Sequence, residues 1–115
     1  MKIVFKFFPL LSMDDTEIVP PTLSVRGEKV TLNGVETDFS VLPDGYEIWY
    51  ADIDAPGYRD YSRRLENVLT IGIELQFKHG ASEAVRCPAD ITVTKDCNVP
   101  VPVDQTNSEP ELIKP

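Results

Sequence analysis

Asparagine followed by glycine at positions 33 and 34, between Leu32 and Val35, constrains this chain more than any other pair. A two-residue type I′ turn holds both central residues at positive φ, and Asn-Gly tolerates that conformation best. The pair therefore predicts a β-hairpin. Its flanks agree: Val30 and Leu32 alternate with Lys29 and Thr31, and Val35 and Thr37 follow the turn. One segment earlier Leu23 and Val25 alternate with Ser24, and Arg26-Gly27-Glu28 turns the chain. Three very short strands in a meander result.

The remaining pattern is also β. Lys2 to Phe8 is rich in strand formers, and Pro9 is expected to end that strand by withholding a donor. Residues 12 to 21 read as a loop with a stiff exit at Pro20-Pro21. Phe39 to Leu42 is a short apolar patch closed by Pro43-Asp44-Gly45. Tyr46 to Ala51 predicts a strand with Tyr46, Ile48 and Tyr50 on one face and Glu47 and Trp49 on the other. Residues 52 to 62 read as a long polar and aromatic loop. Leu65 to Phe77 predicts the main core strand, with Leu69, Ile71, Ile73, Leu75 and Phe77 on one face. Residues 84 to 87 and Ile91 to Thr94 predict two further short strands. No segment shows helical periodicity, and there is no internal repeat.

With 115 residues, 42% of them hydrophobic, the chain supports one packed domain. The expectation is an all-β fold, a small antiparallel sandwich or barrel-like domain over 1–103, with an extended proline-containing tail over 104–115. That tail has too few apolar groups to pack alone. The start of the chain resembles a signal peptide only faintly, since Lys6 and Pro9 interrupt its apolar stretch and no small-residue cleavage pattern follows. It is too short to span a bilayer. A cytoplasmic protein with an intact N-terminus is expected. A formal charge of −8, from 19 acids against 11 bases, argues against sequence-independent nucleic-acid binding and against an anionic membrane surface.

Candidates for chemistry are weak. Asp52, Asp54 and Asp60 form the best oxygen-rich cluster, followed by Asp14, Asp15 and Glu17, but neither supplies the ligand set of a calcium loop. His79 and Ser82 lie close in sequence, yet no nucleophile elbow or orienting acid accompanies them. Cys87 and Cys97 read as free thiols, with pairing across a C-terminal hairpin as the alternative. Their spacing, with one histidine in the chain, does not make a zinc site. No enzyme, cofactor or metal is expected. Aromatics and arginines in and beside one loop instead have the composition of a protein contact: Trp49, Tyr58, Arg59, Tyr61, Arg63 and Arg64. For Trp49 itself, burial in the core is the favoured expectation. A sugar-binding or ligand-binding module using the same aromatics is the competing class.

Three blocks carry a resemblance. Leu23-Ser-Val-Arg-Gly-Glu-Lys-Val-Thr-Leu-Asn-Gly-Val-Glu-Thr-Asp-Phe-Ser-Val-Leu-Pro-Asp-Gly45 is followed by Leu69 to Gly80, closed by His79-Gly80, and by Cys87-Pro-Ala-Asp-Ile-Thr-Val-Thr-Lys-Asp96. In order and spacing they resemble small proteins encoded in the structural gene clusters of bacteriophages and prophages, often near tail-fibre genes. Phe77-Lys78 stands where that family tends to have Leu-Pro, and Cys97 where a turn glycine is usual. The resemblance implies a virion structural or assembly protein, assembled in the host cytoplasm. It would bind other phage virion proteins in many copies, as a tail, baseplate or adaptor component. A head decoration protein or a tail-fibre chaperone is the alternative within that family. No catalytic residue comes with the resemblance.

Overall fold

The computed structural model describes residues 2–13 and 18–103. The readings of Met1, of Asp14, Asp15 and Glu17, and of the tail 104–115 lie outside the described residues. Among the described residues nine strands form in chain order: β1 Lys2–Leu11, β2 Leu23–Arg26, β3 Lys29–Leu32, β4 Val35–Asp38, β5 Glu47–Trp49, β6 Tyr61–Leu65, β7 Val68–Phe77, β8 Ile91–Val93 and β9 Cys97–Asn98. One helical turn, α1, spans Glu83–Arg86, and 3-10 turns occupy Phe39–Val41 and Tyr50–Asp52.

The strands make two sheets, β5-β6-β7-β1-β8 and β4-β3-β2-β9. The fold is all-β and sandwich-like. The meander forms as its turn chemistry demands: Leu32 faces Val35, and Asn33 and Gly34 take φ of 53° and 83°. Alternation then sends Leu23, Val25, Val30 and Leu32 inward. The five-stranded sheet answers with rungs Ile3–Leu69, Phe5–Ile71 and Phe7–Ile73, all buried.

One pairing departs from an antiparallel sandwich. β1 and β7 run parallel over ten residues, from Lys2–Val68 to Leu11–Phe77. Parallel neighbours need a long crossover, and here the connection holds the whole meander together with β5 and β6. Nor does Pro9 end β1, which continues to Leu11. The Ser12 N–H donates to Phe77 O at 2.8 Å, so alternation turns the even-numbered amides of β1 toward β7. Pro9 faces the other way, along an edge that β8 does not reach, since β8 pairs only with Ile3 to Phe5. A missing donor removes no ladder bond there.

The region 52 to 77 also differs from expectation. Tyr61–Leu65 is a strand, and a second hairpin joins it to β7 through Glu66 and Asn67, at φ of 53° and 66°. Residues 84 to 87 are not a strand: Glu83–Arg86 forms one helical turn, with Val85 buried and the Cys87 N–H donating to Glu83 O at 2.8 Å. Cys97, in place of a turn glycine, lies in β9 opposite Val25 and is not among the residues of positive φ. Both cysteines are free.

Candidate functional site

The outer face of the five-stranded sheet is built by the residues that alternate with its core rungs. Trp49 and Tyr61 are cross-strand partners on β5 and β6. Their ring centroids lie 4.8 Å apart at 55°, and Trp49 makes a contact of the same distance and angle with Tyr50. Aromatic pairs prefer such offset or tilted contacts to a stacked sandwich. Trp49 and Tyr61 remain 39% and 40% exposed, so the described residues leave this rung partly open to solvent. The expected burial of Trp49 is therefore overturned. Ile48, paired with the buried Ser62, occupies the inward position of β5, and alternation leaves Trp49 outside.

An irregularity in β6 sets the end of the aromatic strip. Arg63 pairs with Thr70, whereas Tyr58 bridges Ile73, so the register slips by two residues across Arg59 and Asp60. Asp60 takes a φ of 59° to make this bulge. Around it the Arg59 N–H donates to Gly72 O at 3.0 Å and the Glu74 N–H to Gly57 O at 2.8 Å. The Gly72 N–H is taken up by the buried Ser62 hydroxyl at 3.4 Å. The Tyr50 N–H donates to Asp60 O at 3.0 Å, which ties the 3-10 turn after Trp49 to the bulge.

The Arg59 side chain then closes the strip. Its guanidinium carbon lies 5.1 Å from the Tyr50 ring centroid, and Nη1 donates to Tyr50 Oη at 3.3 Å. Nε donates to Glu74 Oε1 at 2.9 Å, and Glu74 Oε2 accepts from Gln76 Nε2 at 2.8 Å. Tyr61, Trp49, Tyr50, Arg59, Glu74 and Gln76 thus form one continuous run of touching side chains. Arg63 flanks it through a 3.5 Å pair with Glu47, exposed enough to add little stability.

Of the six residues singled out as partner-binding, the structure brings Trp49, Arg59, Tyr61 and Arg63 onto this face. The other two it turns inward. Tyr58 is 2% exposed and packs edge-on against Phe39 at 5.8 Å and 68°. Its bridge to Ile73, an inward-facing core residue, forces that direction. Arg64 lies on the inward-facing phase of β6 and is consumed by internal hydrogen bonds to Glu28, Phe39 and Leu42. Sequence reasoning missed Glu74 as a member of the strip, and it set Tyr50 on the strand face opposite Trp49, where the structure brings the two rings together. Period-two spacing placed Glu74 on the outer face of β7, but nothing local signalled its arginine partner.

The Tyr58 hydroxyl is buried and closes no hydrogen bond among the described residues. Burial pushes its pKa above the ordinary 10.0, and the nearby Thr37 hydroxyl opposes this without forming a proper bond. The unfolded chain ionises Tyr58 first as pH rises, so this residue's contribution to stability is lost above about pH 10. Tyr58→Phe should leave stability within about 1 kcal/mol of the parent at neutral pH, on the side of gain, and should flatten the alkaline loss. Urea melts at neutral and alkaline pH check both; a loss of several kcal/mol would mean that the hydroxyl has a partner.

The other candidates do not assemble. Among the described residues no three His, Cys, Asp or Glu side chains converge on a metal position. His79 borders a shallow groove with Leu11, Phe77, Gly80, Ala81 and Arg86, a lining without a nucleophile or acid. A groove of about 400 Å³ runs beside Val19, Pro20, Leu32, Phe77, Val85 and Val103, and it includes none of Trp49, Tyr58 or Tyr61. No described helix is long and apolar enough to cross a membrane. No family model, curated protein or solved structure matches the chain.

Proposed function

We propose that this protein is a bacteriophage virion assembly component that acts by protein–protein binding, through the outer face of its five-stranded sheet and without catalysis. The observation that carries the binding mode is the partly exposed Trp49–Tyr61 rung, continued by Tyr50 and Arg59. Trp, Tyr and Arg are the residues in which interface energy concentrates. Cross-strand pairing and the bulge hold these side chains in place before a partner arrives, so little rotamer freedom remains to be lost on docking. The phage setting is supported by the three sequence blocks, which fall on β2–β4, on β7 with its His79-Gly80 exit, and on the α1–β8 segment. A symmetric virion would present many such faces at once, so individually weak contacts would sum to a tight assembly.

Mass spectrometry of purified particles tests the setting: the chain should be present in mature virions, and its absence would remove the structural-component reading in favour of a departing chaperone. Trp49→Ala with Tyr61→Ala tests the face. The double variant should fold, and it should lose incorporation, with about 2 kcal/mol or more of contact energy removed. Full incorporation of the folded double variant would move the docking site elsewhere. A sugar-binding or ligand-binding module remains the second reading, on one observation: Glu74 and Gln76, polar groups fixed by hydrogen bonds to the strip, also line the 400 Å³ groove.

A further inference from the structure

The end of β7 leaves one side of that strand without a neighbour. Phe77 O faces β1, where it accepts the Ser12 N–H. Gly72 O and the Glu74 N–H face the opposite way, toward Arg59 and Gly57. Alternation carries that direction on to Gln76, so its N–H and C=O also point away from β1. On that side β6 pairs with β7 as far as Thr70, and the bridge at Ile73 extends the contact to Glu74. Among the described residues no backbone group pairs with Gln76 there. The groove of about 400 Å³ lies at this edge: Gln76 and Phe77 line it together with Val19, Val85 and Val103. Val19 and Val103 are 80% and 42% exposed, so much of this apolar lining meets water. A donor, an acceptor and apolar walls together suit an extended segment that carries an apolar side chain.

We infer that the chain's own residues 111–114 add to this edge as a short strand, exchanging hydrogen bonds with Gln76 and setting Leu112 or Ile113 in the groove. The described chain ends at Val103, which itself lines the groove, and residues 104–115 follow. Leu112 and Ile113 are the only large apolar residues among them. Pro110 and Pro115 lack an amide N–H, which confines a ladder to Glu111 through Lys114, a length that matches the short open edge. Strand alternation sends one of Leu112 and Ile113 into the groove and the other outward. Residues 104–111 could span roughly 27 Å if extended, so a return to the groove requires a reversal. Asp104, Asn107, Ser108 and Pro110 are the residue types that reverse a chain. A second copy could supply the same segment, but a tether this short favours the chain's own by effective concentration. The inference does not use the aromatic strip. It goes beyond the proposed function, and it closes the groove to the small ligand of the second reading.

Hydrogen exchange at the Gln76 amide of the full chain tests this. The amide should be protected, and Leu112→Ser with Ile113→Ser should speed its exchange by about tenfold or more. Leu112→Val with Ile113→Val keeps the apolar strand character and should keep the protection. The Gly72 amide, held by the Ser62 hydroxyl, is the internal control and should exchange alike in all three chains. Equal Gln76 exchange in the parent and the serine variant would overturn the inference. Protection that rises with protein concentration would overturn it too, by assigning the segment to a second copy. So would a Gln76 amide that is open in the isolated chain and closes only in the assembled particle, since the edge would then belong to another protein.

Discussion

Gly72→Ala should destabilise the domain by about 3 kcal/mol, at the upper end of what overpacking costs. A Cβ at this position would overlap the Arg59 carbonyl oxygen and press on the Phe8 ring at 3.0 Å. The ring could swing, but the carbonyl belongs to the bulge backbone. Moving it breaks the Arg59–Gly72 and Glu74–Gly57 hydrogen bonds that hold the bulge to β7. Gly34→Ala is the matched control. Gly34 has open space around it, and only its positive φ of 83° opposes a side chain, at about 1–2 kcal/mol. Urea melts of both variants decide the point. Equal losses would mean that the close approach at Gly72 yields easily. The same substitution should also release Arg59 from Tyr50 and Glu74, so the Trp49 environment should change in Gly72→Ala and not in Gly34→Ala.

That contrast also shows which parts of the fold were legible in the sequence. Asn33-Gly34 announced its hairpin because its conformation is rare and its residue types are specific to it. Glu66-Asn67 makes the equivalent turn without glycine, so the alternation runs through it as one strand from Leu65, and Tyr61 and Ser62 of β6 fall in the expected loop over 52 to 62. The inward phase of β7 was readable from period-two spacing, because Leu69, Ile71, Ile73 and Leu75 have no other way to be buried together. Its parallel pairing with β1 was not, since parallel and antiparallel partners leave the same alternation in a single strand. The site divides along the same line. Composition collected Trp49, Tyr58, Arg59, Tyr61, Arg63 and Arg64 because interface residues and clamp residues are the same types. Knowing that this stretch is extended sorts them: alternation sends Tyr58 and Arg64 inward and leaves Arg59, Tyr61 and Arg63 outside, and the two-residue slip at Arg59-Asp60 preserves that parity. Size favours burial for Trp49, but its neighbour Ile48 takes the inward position and alternation leaves the indole outside.

Arg64 and Arg63 are adjacent in sequence, and replacing them should have very different effects. Arg64 spans the two sheets. Nη1 and Nη2 donate to the two carboxylate oxygens of Glu28 at 2.9 and 3.0 Å, Nη2 also to Phe39 O at 2.9 Å, and Nε to Leu42 O at 2.7 Å. Glu28 lies in the turn between β2 and β3, so the clamp fastens the meander and the 3-10 turn after it onto β6. Its side chain is only 11% exposed, which keeps these charge-assisted bonds from competing freely with water. Arg64→Ala should cost about 3 kcal/mol, because Glu28 loses its counterion and two carbonyls lose a donor at once. Glu28→Gln should cost less, about 1 kcal/mol, since Arg64 keeps both carbonyls and Glu28 is itself 30% exposed. Arg64→Lys should recover little, because one ammonium cannot reproduce the planar fork. Arg63→Ala breaks only the exposed pair with Glu47 and should change stability by less than about 0.5 kcal/mol. Urea is the denaturant for the comparison, since a guanidinium salt would screen the pairs under test. If Arg64→Ala melts with Arg63→Ala, the two sheets are held by their apolar core alone. If it falls well below, the arginine whose composition suggested a docking residue is the clamp that keeps the docking sheet in register with the rest of the domain.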